Sequence, residues 1–324
     1  MVAAGWGDKT EFVFAGGWAE TGERERKMSE QTLFDLASLT KVVATLPVAL
    51  RLLQDGRIDL GTKVADVVPG FVPTGRSSPA RREVTVEHLL THTSGLPPYR
   101  GYWRLGLSPA ELAERLVREP LLLPPGAQVV YSDIGFYLLG RVCERAAGRT
   151  LPELVGNWVS GPLAMGKTSY GPRTERDVAA TELGPDGRAR VGTVHDETAA
   201  ALGGVSGHAG LFSTASDLGT YLGAWLNGEG WLSKRWREEA LSDKTAGLGG
   251  HRGLGWVGRG DAFDQLPDNW PPTAFSHTGF TGTSLALDPA SGRWVVMLTN
   301  DVHFGRNRRR IRPLRQAVHR VLAP

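Results

Sequence analysis

The sequence predicts an α+β fold in which an antiparallel β-sheet flanked by helices is split by an inserted, mainly helical domain. Strand-like segments lie at both ends of the chain, helix starts crowd its middle, and the clearest hairpin lies near the C-terminus. The sheet domain is expected over residues 1–60 and 201–324, and the inserted helical domain over residues 61–200.

Each element has a local reason. Apolar residues up to Trp6, a turn at Gly7-Asp8-Lys9 and a second run over 11–15 read as a hairpin. From about Ser38 to Asp55, Val42, Val43, Leu46, Leu50 and Leu53 recur three or four apart, which predicts a helix stopped by Gly56. This helix is apolar nearly all round, so it should be buried, and Pro47 should kink it. Ser108-Pro109-Ala110-Glu111 and Thr150-Leu151-Pro152-Glu153 are capping boxes with proline at the first and the second helical position respectively. Ser132 can cap a helix that ends at Gly148, and Ser213 to Asp217 opens another that ends at Gly228. Strands over Thr283–Leu287 and Trp294–Thr299 flank a Pro289-Ala290-Ser291-Gly292 turn. Arg312 to Leu322 closes the chain as a basic amphipathic helix.

Composition narrows the function. At 324 residues, 41% hydrophobic and 22% charged, the chain can bury a substantial core. A formal charge of +3 is too small to imply a nucleic-acid partner. Cys143 is the single cysteine, which excludes a disulfide scaffold. No apolar run approaches the roughly 18 residues of a membrane span, so no transmembrane segment is expected. The N-terminus lacks the basic start and apolar stretch of a secretory signal, so the chain as written reads as cytoplasmic. It also opens in what looks like mid-strand, which suggests a truncated start and leaves a secreted or periplasmic location open.

Three short motifs carry chemistry. In Ser38-Leu39-Thr40-Lys41, three-residue helical spacing puts the Lys41 amine within reach of the Ser38 hydroxyl. A serine is a poor nucleophile until a base takes its proton, and lysine serves only when its pKa falls from about 10.4. Taken alone, Ser38 is as readily a helix cap. Tyr131-Ser132-Asp133 follows about 90 residues on, at another helix start. A phenol near a cation can relay a proton, and Asp133 can orient the lysine. His277-Thr278-Gly279-Phe280 leads into a strand whose glycine lets the backbone approach a substrate, offering the Phe280 N–H beside the Ser38 N–H as an oxyanion hole.

In that order, and with the surrounding segments 34–41, 88–96, 131–140 and 203–214, the chain resembles the β-lactamase-related serine hydrolases. These include class C β-lactamases, penicillin-binding D-Ala-D-Ala peptidases and esterases of that fold, and the resemblance covers residues 10–320. It implies the β-lactamase/transpeptidase-like arrangement, with the site in the cleft between a sheet domain and a helical one. By position it implies Ser38 as nucleophile, Lys41 as its activating partner and Tyr131 as general base or relay. Asp133, His277, Thr278 and Gly279 would support them, with the Ser38 and Phe280 N–H groups as oxyanion hole. It implies no cofactor and no metal, and a small-molecule ester, amide or peptide as substrate.

Two residues depart from the pattern. Asp133 stands where asparagine is usual, which favours a protonated Lys41 and moves the base role toward Tyr131. His277 stands where lactamases carry lysine, and histidine offers no fixed cation for a substrate carboxylate. The family's N-terminal helix is also missing. The expectation is a serine hydrolase working through an acyl-enzyme, leaning to esterase-like activity. A D-Ala-D-Ala peptidase, a weak β-lactamase and a catalytically weak binding protein remain alternatives.

Other patterns carry less. Gly161 to Thr168 spells a phosphate loop, but the helix it would need after it is blocked by Gly171-Pro172. Gly253 to Gly258 spells a dinucleotide fingerprint in a loop that runs into a strand rather than a helix. Ser206, in Gly204-Val205-Ser206-Gly207-His208, is one residue short of a nucleophile elbow. His88 and His92 share a predicted helix face, and Asp196 and His208 lie near one another, but both pairs are expected to be structural rather than metal ligands. The arginines at 306, 308, 309, 310, 312 and 315 are expected on a solvated helix face.

Overall fold

The computed structural model describes residues 1–22, 24–72, 79–184, 186–228, 230–308 and 310–324. Strands β1 (Val2–Trp6) and β2 (Lys9–Phe14) form the first hairpin around Gly7 and Asp8. β3 (Trp18–Glu20) and β4 (Arg26–Lys27) make a small ribbon. β5 (Phe34–Asp35), β6 (Ser169–Tyr170) and β7 (Leu211–Ser213) form a three-stranded sheet in the order β5-β7-β6. β8 (Val257–Gly258), β9 (Phe275–Thr278), β10 (Ser284–Asp288) and β11 (Arg293–Met297) complete the main sheet. Its order is β2-β1-β11-β10-β9-β8, antiparallel throughout. The chain's first strand therefore lies against nearly its last, with Val2 opposite Met297 and Trp6 opposite Arg293.

Period-two alternation separates the two faces of this sheet. Ala3, Leu285, Leu287, Trp294 and Val296 face the main core, where helix Ala215–Asn227 packs. Ala4, Ala286 and Val295 face the other way, onto Leu266, Trp270 and Ala274. Helix Leu46–Gln54 is buried on nearly every side, as its all-round apolarity predicts. Helix Asp133–Ala147 packs against it and carries helix Leu151–Val155 on its side, and Pro109–Val117 is a third capped helix of this part of the chain. Ser108, Ser132 and Thr150 occupy the capping positions read from the sequence, and Gly148 closes helix Asp133–Ala147 with φ +68°. Among the described residues no helix is long and apolar enough to cross a membrane.

Three expectations need correction. The helix expected from Ser38 to Asp55 is regular only from Leu46. Ala37–Leu39 form a 3-10 turn without a side-chain cap, and Lys41–Thr45 form a widened turn in which the Leu46 N–H reaches back to the Lys41 carbonyl. Pro47 has no N–H to give the Val43 carbonyl, and the wide turn lies just where that bond is lost. His88 and His92 do not share a helix face, because the helix ends at Leu90 and His92 is left-handed, with φ +60°. Each accepts a backbone N–H instead, His88 from Thr85 and His92 from Ser132.

Nor do the C-terminal arginines form one solvated face. Arg306 lies before the last helix (Ile311–Val321), paired with Glu182 and Glu197, while Arg315 is buried and donates to the Thr283 carbonyl at 3.2 Å. Arg310 and Arg312 are exposed, and Arg309 lies outside the described residues.

The last helix also brings a titratable group into the core. His319 packs edge-on against Trp270 at 5.7 Å and is buried. Burial, helped by the nearby Arg315 charge, lowers its pKa to about 3. The unfolded chain binds this proton near pH 6.5, whereas the folded one does so only near pH 3. Its contribution to stability is therefore complete above about pH 6.5 and is lost as pH falls toward 3. Unfolding free energy measured by denaturant titration between pH 7 and 4 should fall with acidification. In His319→Gln the slope should be shallower by up to one proton, and an unchanged slope would show that this imidazole does not titrate on unfolding.

Candidate active site

The site begins at the end of β5, where the chain turns sharply. Ala37 adopts φ +46°, a left-handed backbone that costs a non-glycine residue about 1 kcal/mol, and it presents the half-buried Ser38 on the following turn. Lys41 lies behind Ser38, fully buried. A buried ammonium must have its three protons accepted, and three oxygens from three segments surround this one. Lys41 Nζ is 3.1 Å from Ser38 Oγ, 3.1 Å from the His208 carbonyl and 2.7 Å from Asp133 Oδ1. Tyr131 lies against Lys41, with Nζ 5.0 Å from its ring centre, and its phenol feels the Lys41 charge.

Local folding fixes each partner. Tyr131 precedes the cap of helix Asp133–Ala147, and its segment is strapped to residues 92–98. Val130 N–H donates to the His92 carbonyl at 2.8 Å, Ser132 Oγ to the Pro97 carbonyl at 2.6 Å and Asp133 N–H to the Pro98 carbonyl at 2.8 Å. His92 also stacks on the Tyr131 ring, with centroids 4.6 Å apart. The His208 carbonyl reaches Lys41 because Gly207 lies on the helix backbone, where a Cβ would come within 2.1 Å of the Phe136 carbonyl. The His208 ring is held at both nitrogens, by Ser206 Oγ at 2.7 Å and Asp196 Oδ1 at 3.0 Å.

His277 and Thr278 end β9 on the other side of Tyr131, with the His277 ring 6.3 Å from the phenol ring. The Gly279–Thr283 turn docks on the segment that precedes the serine. Thr281 Oγ1 donates to the Asp35 carbonyl at 2.8 Å, and Thr283 Oγ1 to the Leu36 carbonyl at 3.2 Å. Any Cβ at Gly279 would meet that Leu36 carbonyl at 2.4 Å. The Phe280 ring projects outward, against His195 on one side and Arg306 on another. Beside Asp133 and Phe280 opens a cavity of about 380 Å³, lined also by Trp103, Ile134, Tyr137 and His208.

Electrostatics divide the groups. Burial pushes the Lys41 ammonium down, but the Asp133 carboxylate and the Tyr131 phenol more than offset this and hold it above its usual value. Burial likewise raises the Tyr131 phenol, although the Lys41 charge pulls it the other way. His277 is lowered to about 3 by burial and by the charges of Lys41 and Arg252, so it is neutral at pH 7. Lysine 41 is thus a cation at rest and histidine 277 is not.

Ser38, Lys41, Tyr131 and Asp133 come together as the motifs require, with His277, Thr278 and Gly279 lining the adjacent strand end. Several site residues escaped sequence reasoning. His208 contributes a backbone carbonyl, which no side-chain pattern marks, although its Gly203–Thr214 segment was singled out. His92 acts as support for Tyr131. Arg252, buried and paired with Asp261 at 3.1 Å, lies 5.9 Å from the Tyr131 ring, and Phe263 stacks on that ring at 5.6 Å.

Known proteins place this geometry. Residues 1–320 match the family described as Beta-lactamase. A protein of Escherichia coli K12 named "Putative D-alanyl-D-alanine carboxypeptidase" is 31% identical over 320 residues, covering 87% of this chain and 72% of that protein. Among solved structures, EstCE1, described as a hydrolase with promiscuous acyltransferase activity, is 25% identical with a TM-score of 0.77, covering 98% of this chain and 92% of its own. A penicillin-binding protein homolog from Caulobacter crescentus shares the fold, at 23% identity, a TM-score of 0.74 and coverage of 99% and 92%. The chain belongs to the β-lactamase family. It is a serine hydrolase of that family, on its β-lactamase/transpeptidase-like fold.

The Asp133 carboxylate raises both Lys41 and Tyr131. In Asp133→Asn, burial is left as the main influence on Lys41, and both groups should fall. The rising limb of the pH profile of kcat/KM, followed with a nitrophenyl ester, should then move to lower pH by about one unit or more. A limb that stays in place would mean that neither group governs it.

Proposed function

We propose that Ser38 attacks an ester or amide carbonyl, forms an acyl-enzyme and releases the acid to water. The observation that supports this reading best is the Ser38 hydroxyl bonded to Lys41 at 3.1 Å, with the Tyr131 ring and the Asp133 carboxylate against the same ammonium. With Lys41 charged at rest, Tyr131 is the base of this reading: it first gives its own proton to solvent, the ammonium stabilises the resulting phenolate, and the phenolate takes the serine proton as Oγ attacks. The Ser38 and Phe280 N–H groups would hold the oxyanion. Thr278 and Gly279 would line the substrate strand.

Within this chemistry the reading leans to neutral or small acyl esters, because a neutral His277 gives no cation for a substrate carboxylate. The name of the Escherichia coli relative supports a second reading, a D-Ala-D-Ala-type peptidase acting on a peptide. Ser38→Ala should abolish turnover, and a slow ester should add its acyl mass to Ser38 alone in the intact-mass spectrum. Wild-type rates in the alanine variant would end the nucleophile assignment. Side-by-side kcat/KM on a nitrophenyl ester, a D-Ala-D-Ala peptide and a chromogenic cephalosporin should favour the ester. A preference for the two carboxylate-bearing substrates would reverse the lean.

A further inference from the structure

Asp35 is a buried carboxylate that the chemistry above does not use. It is 2% exposed, three residues before Ser38, and no lysine or arginine among the described residues pairs with it. Both of its oxygens are nevertheless taken by backbone donors. Oδ1 accepts the Ala37 N–H at 2.8 Å, and Oδ2 accepts the His195 N–H at 2.7 Å, across 160 residues of chain. Its carbonyl accepts Thr281 Oγ1 at 2.8 Å. Burial raises its pKa against the opposing pull of those two N–H groups.

The three segments it grips are those that set the two proposed oxyanion donors. Ala37 is the left-handed residue whose backbone directs the Ser38 N–H. Thr281 immediately follows Phe280. The His195 ring lies flat on the Phe280 ring, with centroids 5.7 Å apart and 23° between planes, and His195 Nε2 is anchored on Glu182 at 3.2 Å. Arg306 joins Glu182 to Glu197 and stands 5.8 Å from the Phe280 ring. Two donors more than 200 residues apart in sequence must converge on one oxygen atom, and an error of a few tenths of an ångström weakens that grip steeply.

We propose that Asp35 is a positioning residue that aligns the two halves of the oxyanion hole by binding the Ala37 and His195 N–H groups at once. This rests on the acyl-enzyme reading with Ser38 and Phe280 as donors. Because the alignment matters most to the tetrahedral state, its loss should fall on kcat rather than on KM. Asp35→Asn keeps the shape but turns an NH₂ toward one of the two N–H donors, so one bond is lost and a donor is left facing a donor. His195→Ala keeps the backbone bond and removes the ring that braces Phe280. Thr281→Val removes the tie to the Asp35 carbonyl.

The experiment measures steady-state kinetics on a nitrophenyl ester, with the fraction of active enzyme counted from fluorophosphonate adducts on Ser38 by intact mass. Inhibition by a boronic acid, which becomes tetrahedral, is compared with inhibition by the planar product acid. Asp35→Asn should lose about 10- to 100-fold in kcat per active site, with KM within about threefold and boronate affinity falling in step with kcat. Product-acid affinity should hardly change. His195→Ala and Thr281→Val should show smaller losses of the same kind, and they carry the test if Asp35→Asn does not fold. A purely structural Asp35 would lower the active fraction and leave kcat per active site and the inhibitor ratio at wild-type values, which would overturn the proposal. Wild-type turnover in Ser38→Ala would instead remove the reading beneath it.

Discussion

The site is organised by the burial of one ammonium group. Lys41 is withdrawn from water entirely, and a cation in that position is tolerated only if its charge is balanced and its three N–H bonds are accepted. The chain answers with hydrogen bonds to Ser38 from the same turn and to the His208 carbonyl from a loop, and with an ion pair to Asp133 at the start of a helix. Leaving any one of these acceptors out of place would strand a buried donor, at a cost of about 1–3 kcal/mol. The convergence of three distant segments on Ser38 and Lys41 is therefore enforced by the buried lysine itself.

The same charge orders its neighbours. A second fixed cation on β9 would repel Lys41 across Tyr131, whereas a buried, neutral His277 does not. Arg252 adds positive charge on the far side of the phenol, answered by Asp261. Tyr131 thus lies near two cations, Lys41 and Arg252. That field favours a transient phenolate and opposes burial, the influence that raises the phenol at rest. Asp133 works against this field, tightening Lys41 while making both groups harder to deprotonate.

How much of this was legible in the sequence depends on what carries each contact. Ser38, Lys41, Tyr131 and Asp133 act through side chains at fixed local spacing, and capping chemistry placed Ser132 and the helix behind it to the residue. The hairpins followed from alternation. By contrast, the His208 carbonyl is a main-chain atom whose position depends on a Gly207–Phe136 contact that no local pattern encodes. Helical periodicity over Ser38–Asp55 also hid the 3-10 and widened turns, because both keep residues three to five apart on nearly the same side. Histidine 92 misled for a related reason. Its spacing from His88 suggested a shared face, but a single left-handed residue turned it toward Tyr131. The arginine run dispersed because charge alone says nothing of partners, and Glu182, Glu197 and the Thr283 carbonyl lie far away in sequence.

These contacts also account for why the backbone at Ser38 is irregular. A regular helix from Ser38 onward would leave its first N–H groups pointing along the helix axis. The left-handed Ala37 and the 3-10 turn rotate that first peptide, and the widened turn after it returns the chain to the register of the buried helix at Leu46. The β9–β10 turn then needs glycine at 279 to lie against the Leu36 carbonyl, and Thr281 and Thr283 stitch it there. Local propensity is overridden here where, on the proposed reading, two backbone segments present donors to a common point, and Asp35, Thr281 and Thr283 supply bonds that join those segments.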